Sequence, residues 1–125
     1  MTKLSLNGFK KFTDKRKVAV DYPRITITKG GRINLNKIAY NKYFKDYNFV
    51  DFYFNPTQKI IAMKLLKNST EYSYEVKKVP NSDIAAINSL GFFKHNKIDV
   101  SVKHETDILD FNEDEKIIFL KIRGL

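Results

Sequence analysis

Gly30 and Gly31 stand side by side after the β-branched run Ile25-Thr26-Ile27-Thr28 and before Arg32-Ile33-Asn34-Leu35, which alternates polar and apolar. Glycine accepts φ > 0 at little steric cost, so the pair marks a tight turn and the flanking runs read as strands. Asn36 follows as a helix N-cap, since its side chain can accept from the first free N–H groups. Lys37 to Lys45 carries Ile38, Ala39 and Tyr43 or Phe44 at helical spacing, which fits one short helix. Phe49 to Phe54 and Lys59 to Lys67 read as two strands around Asn55-Pro56-Thr57-Gln58, a turn tetrad with Pro at its second position. The order from Ile25 to Lys67 is therefore strand, strand, helix, strand, strand.

That order, with Gly31-Arg32-Ile33-Asn34-Leu35-Asn36-Lys37 at its centre, resembles the swapped-hairpin domain of AbrB/SpoVT-type transition-state regulators. Members of that family read strand, Gly-Arg-hydrophobic-x-hydrophobic-Pro-Lys, short helix, then two strands. The resemblance covers residues 25–67 and implies a small β-barrel that binds DNA, usually as a dimer, with Arg32 as the family-type contact. Three departures stand out. Asn36 replaces the usual Pro. Tyr40 and Asn41 fall where many members place DNA-touching helix arginines. Asp46-Tyr47-Asn48 replaces the Gly-Asp that precedes the third strand.

The second half of the chain echoes the first. Phe54-Asn55-Pro56-Thr57-Gln58-Lys59-Ile60-Ile61-Ala62-Met63-Lys64-Leu65 and Phe111-Asn112-Glu113-Asp114-Glu115-Lys116-Ile117-Ile118-Phe119-Leu120-Lys121-Ile122 agree at six of twelve positions, and three of the others stay apolar. Ile38 to Lys45 faces Leu90 to Lys97 more loosely. Two hairpins rich in Lys and Ile can also match by chance. If the repeat is real, two copies close one barrel internally, because one such unit has too small a core alone. Between the copies, Tyr72 to Val79 alternates as a half-buried strand. Pro80-Asn81-Ser82-Asp83 ends it and offers Ser82 or Asp83 as an N-cap. Ile84 to Asn96 reads as a helix with Ile84, Ile87, Leu90 and Phe92 or Phe93 on one side. The expected fold is mainly β with short helices (α+β). It is a small swapped-hairpin-like or cradle-loop β-barrel, built from two tandem ββαββ-like halves where the repeat holds. The segments are a basic N-terminal arm (1–24), the AbrB-like half (25–67) and a second half (68–125). The expected assembly is a pseudo-two-fold monomer or a homodimer.

Charge sharpens the functional reading. The net charge is +9, yet residues 1–67 hold fifteen Lys and Arg against four Asp, while residues 68–125 hold eight basic against ten acidic residues. An even Lys bias would not split in this way, and one strongly positive region suits a polyanion. In the arm, Lys10, Lys11, Lys15, Arg16, Lys17 and Arg24 punctuate Phe9, Phe12 and Val18-Ala19-Val20. It reads equally as a phosphate-tracking arm or as a solvated terminus. Val18 to Tyr22 forms a candidate strand closed by Pro23. Lys29-Gly30-Gly31-Arg32 lacks the spacing of a Walker loop and reads as a basic hairpin tip that offers two cations and backbone N–H groups to a nucleic-acid backbone.

The chain has no cysteine, so disulfides and thiolate metal sites are excluded and a reducing compartment fits. Met1 to Leu6 is too short and polar for a signal peptide, and no run approaches the roughly 18 apolar residues of a membrane span. The expectation is a cytoplasmic protein with no membrane partner and no cofactor. His95 and His104 have no nucleophile partner. Asp107, Asp110, Glu113, Asp114 and Glu115 lack the spacing of a calcium loop, and Glu113 to Glu115 reads as a solvated turn. Tyr40, Tyr43, Tyr47 and Tyr53 read as core and rim rather than as base-stacking platforms.

The first functional reading is a DNA-binding regulator, with RNA as a second polyanion. Lys29, Arg32 and Lys37 form the central contact group, and Lys10, Lys11, Lys15, Arg16 and Lys17 add phosphate contacts. The alternative is a small protein-binding module, an inhibitor or adaptor from a mobile element, whose basic face meets an acidic protein. An enzyme acting on nucleic acid ranks third, for want of a general base and metal set.

Overall fold

Alternation decides which side chains face inward. The computed structural model describes Ser5, residues 7–11 and residues 20–125. In β1 (Ile25–Thr28) and β2 (Arg32–Leu35), Ile25, Ile27, Ile33 and Leu35 are buried, while Thr28, Arg32 and Asn34 lie on the other side. The turn between them places Gly30 and Gly31 at φ 97° and 82°. A Cβ on Gly31 would come within 3.0 Å of Leu90 Cα, so this position needs glycine for space as well as for backbone.

Asn36 caps the next element. Its Oδ1 accepts from Ala39 N at 2.8 Å and from Arg24 N at 3.0 Å, and its Nδ2 donates to Tyr22 O at 2.9 Å. One amide thus starts α1 (Lys37–Ala39) and ties down the chain that enters β1. The helix then widens into a π turn over Tyr40–Phe44. A π turn brings residues i and i+5 to one side, and Ala39 and Phe44 are both fully buried. The wider turn lets both reach the core.

β3 (Phe49–Asn55) and β4 (Ile60–Leu66) form a hairpin, as do β8 (His104–Asn112) and β9 (Ile117–Ile122). Between them lie β5 (Tyr74–Glu75), β6 (Lys77–Lys78), β7 (Ala85–Asn88) and α2 (Leu90–His95). The strand order is β5-β3-β4-β9-β8-β1-β2-β7-β6, with every pairing antiparallel. β5 and β6 end that order, yet only Val76 separates them in the chain, and Val76 N donates to Asn48 O at 2.8 Å. The sheet therefore curls into a nearly closed barrel. The protein is mainly antiparallel β with two short helices, a small α+β barrel. Its interior is filled by Ile25, Ile27, Ile33, Leu35, Phe44, Val50, Ile61, Met63, Leu65, Ile87, Phe93, Ile118, Leu120 and Ile122.

The two hairpins share one geometry. Asn55 pairs with Ile60 and Asn112 with Ile117. In each turn the Asn Oδ1 accepts two backbone N–H groups: Thr57 and Gln58 at 3.1 Å, Asp114 and Glu115 at 3.0 Å. Each turn closes on a lysine in the left-handed region, Lys59 and Lys116, both at φ 58°. A bulge between Ile108 and Asp110 distinguishes β8 from β3.

The helices pack crosswise. Phe92 of α2 stacks on Phe52 of β3 at 4.6 Å and meets Phe54 edge-on at 6.2 Å. Tyr43, in the π turn, lies 5.1 Å from Phe111 of β8. The helical segment nearer each end of the chain thus covers a hairpin from the other part, and the core is shared.

Four expectations change. Ile84 to Asn96 is not one helix: Ala85–Asn88 is a strand, because its N–H and C=O groups find β2 (Ile33↔Ile87, Leu35↔Ala85) and β6. Non-local pairing outweighs the helical preference of Ala-Ala. Ser82 accordingly caps no helix; its Oγ accepts from Ile84 N at 3.0 Å in the turn before β7. The strand expected over Tyr72–Val79 is split at Val76, and Tyr72 is 80% exposed. Tyr53 points out of the barrel and is 55% exposed, whereas Tyr40, Tyr43 and Tyr47 pack against the core. Of the strand expected over Val18 to Tyr22, the described part is irregular, with Asp21 and Tyr22 in a bend; Val18 and Ala19 lie outside the described residues. Among the described residues no helix is long and apolar enough to cross a membrane.

Candidate nucleic-acid interface

Five strands, in the order β8-β1-β2-β7-β6, present one outward face, and strand register states what it carries. Residues opposite one another across a ladder share a side of the sheet. Glu105, Thr26, Asn34, Ala86 and Lys77 therefore form one row, and Thr28, Arg32 and Asn88 form the next. Alternation adds Arg24 and Asn36 on the same side. A recess of about 170 Å³ on this face is lined by Arg24, Thr26, Asn34, Asn36, Ile84 and Lys103, with Leu35 beneath. The centre is made of short polar or small side chains, and the cations Arg24, Arg32, Lys77 and Lys103 surround it.

Charge pairing orders this surface. Arg24 grips Glu105 with both ends of its guanidinium: Nε donates to Oε2 at 3.1 Å, and Nη2 bonds Oε1. Lys103 Nζ lies 3.4 Å from the same carboxylate. The Arg24 hydrogen bond holds the Glu105 carboxyl below the usual carboxylate range, and Glu105 raises Arg24 in return. Next to them, Arg123 donates to Asp107 at 2.6 Å and 2.9 Å, which lowers the Asp107 carboxyl and raises the arginine. Arg32 is differently placed. Its Nε donates to Asn34 Oδ1 at 2.9 Å, and among the described residues its Nη groups make no hydrogen bond or ion pair.

The residues singled out from sequence fall at three places. Lys29 and Arg32 share the tip of the β1–β2 hairpin. Lys37 is exposed at the far end of β2, next to Asn36 and Arg24. Lys10 and Lys11 are exposed, and Lys15, Arg16 and Lys17 lie outside the described residues. The tip offers less backbone than its sequence suggests. Gly30 N already donates to Val100 O at 2.8 Å and Gly31 N to Thr28 O at 3.0 Å, so neither glycine N–H remains for a ligand. The loop that supplies Val100 links α2 to β8, a contact no local pattern announces.

Arg24, Lys77, Lys103, Asn34 and Asn88 belong to this face without being among the contacts expected from the sequence. The two-residue period through Arg24, Thr26 and Thr28, and through Arg32, Asn34 and Asn36, was a usable signal for Arg24 and Asn34. Lys77, Lys103 and Asn88 join only through pairing. His104 and His95 are separate: His104 Nε2 lies 2.6 Å from Asp99 O, and His95 ends α2. Glu113, Asp114 and Glu115 form an exposed turn around Asn112.

No protein-family model matches the sequence, and comparison with curated proteins and with solved structures gives no significant match.

Proposed function

We propose that the protein binds nucleic acid through the outward face of β8-β1-β2-β7-β6 and the β1–β2 tip. One observation carries the reading. Arg24, Arg32, Lys77 and Lys103, from four different segments, surround the accessible amides of Asn34 and Asn88, while Thr26 and Ala86 between them are buried. Cations at the edge and amides at the centre are the two kinds of group that meet phosphates and sugars. The resemblance of residues 25–67 to AbrB-type domains adds duplex DNA as the first polyanion to test, and a regulatory role as its context.

Dimensions set the mode of contact. Five strands at roughly 4.8 Å spacing span about 19 Å, wider than a major groove of about 12 Å. The whole face cannot enter the groove, and among the described residues its paired rows carry no aromatic side chain; the exposed Tyr22 stands at their edge, near Arg24. Contacts to the backbone dominate, so affinity is salt-dependent and sequence choice is weak. Arg32→Ala is expected to weaken binding by about 1 kcal/mol or less, uniformly across sequences, and to lower the salt slope by about one. The test is titration of a labelled random-sequence duplex across a salt series, with a single-stranded competitor. No binding at low salt would end this reading and return attention to an acidic protein partner.

A further inference from the structure

A cleft of about 700 Å³ opens between β3, residues 70–74 and α2, and it shares no residue with the face described above. Its floor is aromatic. Phe52 and Phe92 stack at 4.6 Å with their planes 19° apart, and Tyr74 meets Phe52 edge-on at 5.1 Å. Tyr53 and Tyr72 also line it, and they are 55% and 80% exposed. Tyr72 contributes little to the core and leaves its ring accessible at the rim of the cleft.

The charged lining runs against the rest of the chain. In a protein of net charge +9, the cleft takes Asp51 and Glu71, with His95 from the end of α2, and neither Lys nor Arg. Thr70 Oγ1 donates to Asp51 Oδ1 at 2.8 Å, and Thr70 N donates to Ser73 Oγ at 2.8 Å. The loop that carries Glu71 and Tyr72 is thereby folded on itself and pinned to β3. Lys64 faces Asp51 across the ladder, and among the described residues the two make no ion pair.

A phosphate cleft in so basic a chain would recruit its cations. Carboxylates beside accessible aromatic faces suit the opposite ligand. The carboxylates balance a positive charge, and the negative π faces attract a cation whose substituents are apolar. The volume lies within the range of about 300–1,000 Å³ usual for small-ligand sites. We propose that this cleft binds an organic cation, an alkylated ammonium or a guanidinium group, carried either by a small molecule or by a peptide side chain. Tyr53 and Tyr72 flank the cation, Asp51 and Glu71 balance its charge, and the Phe52–Phe92 floor receives its apolar part.

The test is an amide-resonance titration of the ¹⁵N-labelled full chain. The probes are choline, its uncharged isostere 3,3-dimethylbutan-1-ol, N-acetylarginine amide, a short trimethyllysine peptide and adenosine monophosphate. Choline is expected to shift Tyr72, Gly91 and His95 saturably and to bind at least about tenfold tighter than the isostere. Tyr72→Ala, and separately Asp51→Asn with Glu71→Gln, should weaken it by about tenfold or more. Either peptide-type probe binding tighter than choline supports the site and identifies a side chain as the source; the reverse order supports it and identifies a free cation. Equal binding of the isostere, saturation of the same resonances by adenosine monophosphate, or no shift with any cation would overturn the proposal. Tyr72→Ala should leave affinity for the random duplex unchanged, so this site and the nucleic-acid face fail or succeed separately.

Discussion

The β3–β4 and β8–β9 hairpins turn on the same atoms and carry opposite charge. Asn55 and Asn112 each accept two backbone N–H groups, and Lys59 and Lys116 each adopt φ 58°. Between those fixed points stand Pro56-Thr57-Gln58 in one turn and Glu113-Asp114-Glu115 in the other. Backbone geometry therefore uses the asparagine, the left-handed lysine and the buried alternation of the flanking strands. It does not fix the charge of the intervening side chains, of which Gln58 accepts from Asn55 Nδ2 at 3.1 Å, and there the two turns diverge. The two turns contribute three charges to the chain-wide asymmetry, at positions whose charge the fold does not decide. They are the ones available to a partner.

The comparison is tested most severely in the core. Ile61 and Ile118 occupy matching places in β4 and β9, and both are fully buried. Replacing either with Ala should cost about 2–5 kcal/mol. Because α2 covers β3 and the π turn covers β8, the core is shared. Chemical denaturation of either variant should then show one transition with similar losses. Two transitions, or a loss confined to one variant, would mean that the hairpins support separate cores.

The opening turns give the next largest contrast. β1–β2 turns at Gly30-Gly31, and β6–β7 turns near Asn81, which has φ 57°. Gly31→Ala is expected to lower stability by about 2 kcal/mol, since it strains a positive φ and drives a Cβ to 3.0 Å from Leu90 Cα. Gly30→Ala meets nothing within 4 Å and should cost less. Asn81→Gly should be nearly neutral. Equal effects at Gly30 and Gly31 would show that the approach of α2 does not decide the requirement.

Asn55→Ala and Asn112→Ala should each cost about 1 kcal/mol or less, because each releases two exposed N–H groups that water can partly satisfy. Thermal denaturation of the pair tests whether the turns are energetic equals as well as geometric ones.

The smallest effect concerns charge on the sheet face. Glu105 has its carboxyl lowered by Arg24, from an ordinary value of 4.5. A lowered folded value stabilises above that ordinary value and loses the contribution as pH falls through the folded one. Glu105→Gln should therefore cost about 0.5 kcal/mol at neutral pH, an exposed pair being weak. It should also flatten the acid limb of the stability curve. The same change leaves Arg24 and Lys103 without their counter-charge, so duplex affinity should rise a few-fold at low salt and return to that of the parent at high salt.

Much of the local structure was legible in the chain. Gly30-Gly31 marked its turn, Asn36 its cap, and the matched Asn-x-x-x-Lys segments their two hairpins, because each depends on backbone groups within a few residues. The alternation of Ile25, Ile27, Ile33 and Leu35 stated which side is inside for the same reason. Ala85–Asn88 reads as helix in the sequence because the groups that make it a strand belong to β2 and β6. Tyr53 reads as core or rim in the sequence yet is exposed, because period alone does not say which phase of β3 faces inward. The interface was half legible. Arg32 and Lys29 announced themselves beside the glycines, whereas Lys77, Lys103 and Asn88 reach the face only through strand pairing.

What the sequence determined by itself was a set of turns, caps and two-residue periods, all satisfied over short stretches of chain. Only the tertiary structure decided the strand order and which cations share a face. It also decided the bond that withdraws Gly30 N from any ligand and the gathering of aromatic and acidic side chains around one cleft. Those outcomes rest on hydrogen bonds and contacts between segments far apart in the chain, and no local pattern encodes them.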